Sequence, residues 1–300
     1  MATGLQTTAD IAAVLSTVLS PAREVIEKPV FLEKMIWHVG LKDGDGTTYN
    51  WPKFPTQLSA QALTEGVRLD NPQKLIPTSQ QFTTSEVGIE IMMTDKSLRV
   101  TPEPMRARAG RFAGNAMKRK KEEDILALFA GLSRDLGSAG SAFSPSDINV
   151  AKVRLQAAAE SGVTEAAPGP YFAVIHPFHW HDVNVSAATL GSNINSDIGY
   201  APIEGITEEL IRKGEVIPLY GLPVATHALM DIDSSDDAVG AVFSKEAFLY
   251  ISTSNTMKTE TERDKNLRAW DMVITSEYGV GEVEDDWGFK ITADATAPTS

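Results

Sequence analysis

Residues 102–133 read PEPMRARAGRFAGNAMKRKKEEDILALFAGLS, and the reading of this stretch sets the architecture. Pro102 and Pro104 suit the first turn of a helix, where the N–H that proline lacks would be unpaired anyway. Met105, Ala109, Phe112 and Ala116 recur near the 3.6-residue period, and Ile125, Leu126, Phe129 and Leu132 resume an apolar stripe. Gly131 and Gly137 mark the exit. A helix over about 102–133 would span roughly 45 Å, longer than the helices of most small domains. In its middle lies Lys118-Arg119-Lys120-Lys121-Glu122-Glu123-Asp124. At helical spacing this run gives local ion pairs on a solvated face, or a charged seam to adjacent subunits. Four basic residues followed at once by three acidic ones make a poor nucleic-acid contact.

Outward toward the N-terminus, Phe82–Met93 reads as a strand, with Val87, Ile89 and Ile91 on one face and Thr94-Asp95 at its end. Residues 41–80 read as an extended hairpin. Asp43-Gly44-Asp45-Gly46 is a turn signal, and Tyr49 and Trp51 then alternate with polar residues. Pro52 and Pro55 restrict that strand to an edge or an irregular course. Gln57–Glu65 makes a plausible tip, and Val67–Pro77 leads back. Such a projection holds little core of its own, so it is expected to lie on a sister copy. Residues 1–40 read as an arm. Ala9–Leu19 is helix-compatible, with Thr8 as N-cap and Pro21 past its end, and a second short helical stretch is expected over Pro21–Ile26.

Toward the C-terminus, residues 138–146 are rich in glycine and serine and suggest a junction. Beyond it Ser146–Ser161 reads as a helix, Tyr171–Ile175 as a short buried strand, and Pro177–Leu190 and Glu204–Arg212 as helices. Glu215–Thr226 reads as extended, with a turn at Tyr220-Gly221-Leu222-Pro223. Ala238–Phe243, Ala247–Ser252 and Leu267–Tyr278 read as strands, continued by Val280–Val283 and Phe289–Thr292. The expected class is α+β. A middle α/β unit is inserted between strand-and-helix segments that share one domain.

Composition narrows the function. In 300 residues, 42% hydrophobic and 22% charged, there is enough apolar material for a core. There are no cysteines, which removes disulfides, thiolate metal sites and a cysteine nucleophile. No signal peptide or run long enough to cross a bilayer is visible, so a soluble, cytoplasmic product is expected. A net charge of −13 disfavours tight phosphate binding but suits the wall of a DNA container. Among catalytic constellations, His176-Pro177-Phe178-His179-Trp180-His181-Asp182 is the best candidate. His179 and Asp182 share a helix face, so a metal-dependent hydrolase using His176, His179 and Asp182 is one reading. His181 points away, however, and no H-E-x-x-H spacing is present. The acidic loop Asp231, Asp233, Asp236 and Asp237 lacks the glycine and glutamate of an EF-hand, and Asp43 with Asp45 reads likewise as a solvated turn. No phosphate-cradling glycine loop or nucleophile elbow appears, and Tyr278-Gly279-Val280-Gly281 lacks the remainder of a dinucleotide fingerprint. No enzyme activity, cofactor or metal is expected.

Several local sequences, in this order, resemble the major capsid proteins of tailed double-stranded DNA bacteriophages, the Hong Kong 97-type fold. They are Thr84-Ser85-Glu86-Val87-Gly88-Ile89 leading to Met93-Thr94-Asp95-Lys96, and Val174-Ile175-His176-Pro177. Further on come Tyr220-Gly221-Leu222-Pro223-Val224, Ala241-Val242-Phe243-Ser244-Lys245-Glu246-Ala247, and Ser276-Glu277-Tyr278-Gly279-Val280-Gly281. The resemblance implies an N-terminal arm over 1–40 and an extended loop over 41–80. It implies a peripheral domain from 81–139 and 238–300, with a spine helix at about 102–133, and an axial domain over 140–237. It also implies self-assembly as pentamers and hexamers into an icosahedral shell. That shell would enclose DNA without sequence-specific binding and would be assembled in the host cytoplasm. Because the arm is short, a separate scaffolding protein is expected, together with a portal and in some shells decoration proteins. Expected inter-subunit contacts are Tyr49, Trp51 and Phe54 in the loop, and Arg106, Arg108, Lys118, Lys120 and Glu123 on the helix. The nearest rival is an encapsulin-like cellular compartment, which shares the fold and differs in its cargo.

Overall fold

A computed structural model describes residues 31–42, 44–53, 58, 60–68, 72–100, 105–157, 165–183, 185, 216–253 and 257–298. The expected arm helices at Ala9–Leu19 and Pro21–Ile26 and the expected helix at Glu204–Arg212 lie outside these residues. Among the described residues, no helix is long and apolar enough to cross a membrane.

Among the described residues, two large sheets and one long helix organise the chain. The first sheet has five strands: β1 (Trp37–Leu41), β4 (Ser85–Thr94), β10 (Phe248–Thr253), β11 (Lys258–Asp264) and β12 (Ala269–Glu282). β12 is its backbone. β4 runs antiparallel along one edge of Ala269–Tyr278. On the other edge β11 pairs with Ala269–Thr275 and β10 with Tyr278–Glu282. β1 joins β10 in parallel. The last residues of the stretch expected as an arm, from Trp37, are thus part of a sheet of their own chain.

The second sheet has six strands in the order β5 (Asp135–Gly137), β13 (Gly288–Asp294), β9 (Asp237–Ser244), β6 (Tyr171–Ile175), β8 (Leu222–Thr226) and β7 (Val216–Leu219). It draws strands from both sides of position 238. Its alternation serves two cores, as a sheet covered on both faces requires. Val174, Ala241 and Phe243 face one core, and Ala173, Ile175, Val242, Phe289 and Ile291 face the other. The helix Pro145–Ala157 covers the second core with Ile148, Ala151 and Leu155. The turn expected at Tyr220-Gly221 closes the β7–β8 hairpin. Both residues are left-handed, at φ 52° and 73°, as the two-residue turn matching strand twist demands.

The long helix runs from Met105 to Phe129, 25 residues or about 37 Å at 1.5 Å per residue. It stops short of the expected end because Gly131 and Leu132 close a tight turn onto the carbonyls of Leu128 and Phe129. Leu132 is thereby tucked into the core, where it is fully buried. The first half of the helix lays Ala113 and Met117 on Ile274 and the Val87, Ile89, Ile91 stripe. The second half inserts Ile125, Leu126 and Phe129 among Phe243, Phe248, Tyr250 and Tyr278, joining the two sheets.

β12 runs on past Tyr278 to Glu282, in line with the reading of Val280–Val283 as a continuation of the strand before it. Other elements differ from the sequence expectation. A short helix, Asp95–Val100, follows β4, because the Thr94 hydroxyl accepts the Ser97 N–H at 3.2 Å and turns the chain. β11, KTETERD, has no apolar residue and so no alternation to read. It exists because β12 supplies its hydrogen bonds.

Candidate assembly surfaces

β2 (Thr48–Lys53) and β3 (Thr78–Thr83) form a two-stranded hairpin in register Thr48↔Thr83 to Lys53↔Thr78. Two-stranded ribbons are marginal alone, and this one is anchored at its root. The Trp51 ring meets Trp37 edge-on at 6.3 Å and Tyr49 at 6.4 Å. Both rings pack on the cluster of Leu41, Phe82, Leu249, Ile251 and Val283. Gln80 donates to the Glu282 carbonyl at 2.8 Å, and Lys53 pairs with Glu284. Tyr49 and Trp51 therefore spend much of their apolar surface within the chain, and half-buried faces remain. Beyond the root the described residues of 58–77 carry apolar side chains in the open. Leu63 is 74% and Val67 66% exposed, and Leu58, Leu75 and Ile76 are also exposed.

Phe54 lies outside the described residues, and so do the side chains of Arg106 and Arg108, although both arginines belong to the long helix. Lys118 is exposed. Lys120 pairs with Asp124 at 2.7 Å and Glu123 with Arg119 at 3.1 Å, each one helical turn apart. Local pairing with Asp124 raises the Lys120 pKa.

The same charged run also turns inward. Lys121 and Glu122 stand one turn ahead of Ile125 and Leu126, on the buried side of the helix. The Lys121 ammonium lies 5.2 Å over the Tyr278 ring and 5.8 Å over Tyr250, and desolvation lowers its pKa. The Glu122 carboxylate accepts the Leu32 N–H at 3.1 Å and meets His227 Nε2 at 3.0 Å. Leu229 N–H donates to His227 Nδ1 at 3.2 Å, which places the imidazole proton on Nε2, facing Glu122. Tyr278 donates to Asp124 at 2.6 Å. Burial, then the Asp124 contact, drives the Tyr278 pKa far upward, and burial drives up that of Tyr250. This buried joint ties the chain before β1, the long helix and the loop after β8. Carrying the Ile125–Leu126 stripe back one turn would have revealed its helical members. His227 had no sequence signal.

The histidine cluster is taken up by local structure. His179 is fully buried, stacks on Phe143 at 5.0 Å and bonds the Ala293 carbonyl at 3.1 Å through Nε2. His176 Nδ1 accepts the Phe178 N–H at 3.2 Å. An Asp182 oxygen faces the Phe143 N–H at 3.4 Å. The His176 and His179 rings lie 6.1 Å apart, but each of the three groups serves a different backbone partner, and among the described residues no three such side chains are grouped as a metal site requires. Desolvation lowers the His179 pKa against smaller opposing contributions from Ala293 and nearby carboxylates.

The strand β1 in the sheet beneath the long helix, the hairpin and the second sheet with its covering helix match the Hong Kong 97-type fold. No family model and no curated protein matches the sequence. Among solved structures, the capsid of Ralstonia phage GP4 aligns at a TM-score of 0.67 with 11% identity, covering 94% of this chain and 95% of that one. The capsid of cyanophage P-SCSP1u aligns at 0.65 with 14% identity, covering 92% and 93%. An encapsulin complex from Synechococcus elongatus aligns at 0.61 with 11% identity, covering 96% and 97%.

Proposed function

We propose that this chain is the major capsid protein of a tailed double-stranded DNA bacteriophage, a structural subunit with no catalytic role. Copies would assemble as pentamers and hexamers into an icosahedral shell around the genome. The observation that carries the reading is the hairpin loop, whose apolar side chains at 58, 63, 67, 75 and 76 are open to solvent. Five apolar side chains held open along one rooted projection point to a protein contact. A second copy is the natural cover, because a shell repeats each weak contact many times. The solved structures of the same fold support the reading, since they are shells. The net charge of −13 suits a wall that holds DNA without adhering to it.

In this reading residues 1–40 are the arm and 41–80 the extended loop. Residues 81–139 and 238–300 form the peripheral domain, and 140–237 the axial domain, with β9 and β13 completing the sheet that β6, β7 and β8 begin. Phe54, Arg106, Arg108 and Lys118 would contact neighbours. Lys120 and Glu123 would do so from within their local pairs, and Tyr49 and Trp51 would mainly fix the loop's root. The encapsulin reading rests on the Synechococcus neighbour at 0.61; the capsids of phages GP4 and P-SCSP1u align at 0.67 and 0.65, and a structure of Mycobacterium phage Che8 at 0.60.

Electron microscopy of the expressed protein, with and without a scaffolding protein, tests the proposal. Closed shells are expected, and L63D/V67D should abolish them while leaving the melting temperature unchanged. Monomers at high concentration in both conditions would overturn it. Packaged DNA inside natural particles supports the phage reading, and a peptide-tagged enzyme supports the encapsulin.

A further inference from the structure

The five-stranded sheet has one face covered by the long helix; the other is covered by the hairpin root over β1 and β10 and open over β4, β11 and the first part of β12, and the register fixes the residues of this open part. Across β4 and β12, Glu86 stands opposite Glu277, Glu90 opposite Val273 and Met92 opposite Asp271. Across β12 and β11, Lys258 stands opposite Thr275, Glu260 opposite Val273 and Glu262 opposite Asp271. Directly opposed residues share a face. Glu86, Glu90, Glu260, Glu262, Asp271 and Glu277 are therefore gathered on it with one lysine, Lys258. Like charges directly opposed, as in Glu262 with Asp271, work against the sheet. Glu86, Glu90, Glu260 and Glu262 are exposed. One Asp271 oxygen is shielded from water with no hydrogen-bond partner. Such a face is complementary to positive charge.

The matching cations sit at one end of the same sheet. β11 and β12 are joined by a turn over 265–268. The Asp264 carboxylate accepts the N–H groups of Asn266 at 2.7 Å and Leu267 at 3.1 Å. Arg268 is held left-handed at φ 50°, a conformation uncommon outside glycine. Its carbonyl accepts the Asp95 N–H at 2.8 Å, which fastens the helix Asp95–Val100 beside the turn. Lys96, Arg99, Lys265 and Arg268 are all exposed at this tip, together with the apolar Val100 and Leu267. Arg263 is different: it is engaged by Asp95 at 2.9 Å and by the Trp270 ring.

We propose that the tip formed by Lys96, Arg99, Lys265 and Arg268 docks on the acidic open face of the five-stranded sheet in a second copy. The inference deepens the shell reading and rests on it. Tip and face are different patches, so the contact is heterologous and propagates head to tail, closing where the rotation allows. Opposite charge speeds and orients the encounter, and Leu267 and Val100 gain cover against Met92 and Val273.

K265E/R268E and E260K/E262K should each cut shell yield by about tenfold or more without lowering the melting temperature. The combined variant, with both patches inverted, should assemble again. Normal assembly of either reversed variant, or failure of the combined variant to recover, overturns the inference. The chain has no cysteine, so a second test needs no background removed. E262C protein mixed with R268C protein and mildly oxidised should give covalent dimers well above either protein alone. Dimers without shells would uphold this contact and sink the shell reading. Shells without dimers would do the reverse, and the absence of both would sink the two together.

Discussion

Replacing Glu122 with alanine tests the buried joint most directly. The Glu122 side chain is 1% and that of His227 3% exposed, so neither reaches solvent if its partner is removed. E122A leaves the His227 Nε2–H and the Leu32 N–H without an acceptor. Each stranded donor costs about 1–3 kcal/mol, and a cavity adds to this. The total, about 3–5 kcal/mol, matches the usual penalty for deleting one member of a buried polar pair. For a chain of this size that lowers the melting temperature by on the order of 10 °C. E122Q keeps one carbonyl oxygen as acceptor but turns an N–H toward a donor, so an intermediate loss of about 1–2 kcal/mol is expected. Thermal unfolding of unassembled protein, followed by circular dichroism, measures both. An E122A protein melting within about 2 °C of the parent, or E122Q as damaging as E122A, would refute the reasoning.

Acid should destabilise the fold through His179. Burial holds its pKa below the ordinary 6.5, so as pH falls below that value the unfolded chain takes up a proton that the folded site resists, and stability is lost. A melting profile from neutral to acid pH should fall in this window and flatten in H179Q, and an equal slope in both would contradict the assignment. G137A should cost several kcal/mol: Gly137 is left-handed at φ 83°, and an added Cβ would lie 2.5 Å from the Thr292 carbonyl oxygen. A melting temperature unchanged by G137A would show that β5 can shift away from β13. Y278F removes the 2.6 Å bond to Asp124 and should cost about 1–3 kcal/mol. K120A opens only an exposed pair and should cost less than about 0.5 kcal/mol, and chemical denaturation of the two variants would expose a reversed ranking.

Local periodicity carries information only where one face of an element is apolar. The long helix, β4, β6, β9 and the β7–β8 turn were legible for that reason: their apolar spacings or turn residues state a conformation without help from distant segments. The loop's exposure was legible too, because two prolines and a long stretch without strand alternation cannot make a core. Only the tertiary structure decided that β11 is a strand, since a wholly polar heptapeptide holds its shape through β12's hydrogen bonds. It also decided that Lys121 and Glu122 turn inward while Lys118 and Lys120 stay out. A charged run looks alike on every helix face until the packed sheets fix the rotation. The acidic sheet face and the basic tip come from two stretches more than a hundred and fifty residues apart, 86–100 and 258–277. Their meeting is a matter of strand register, and register is set by hydrogen bonding between segments that no local reading brings together.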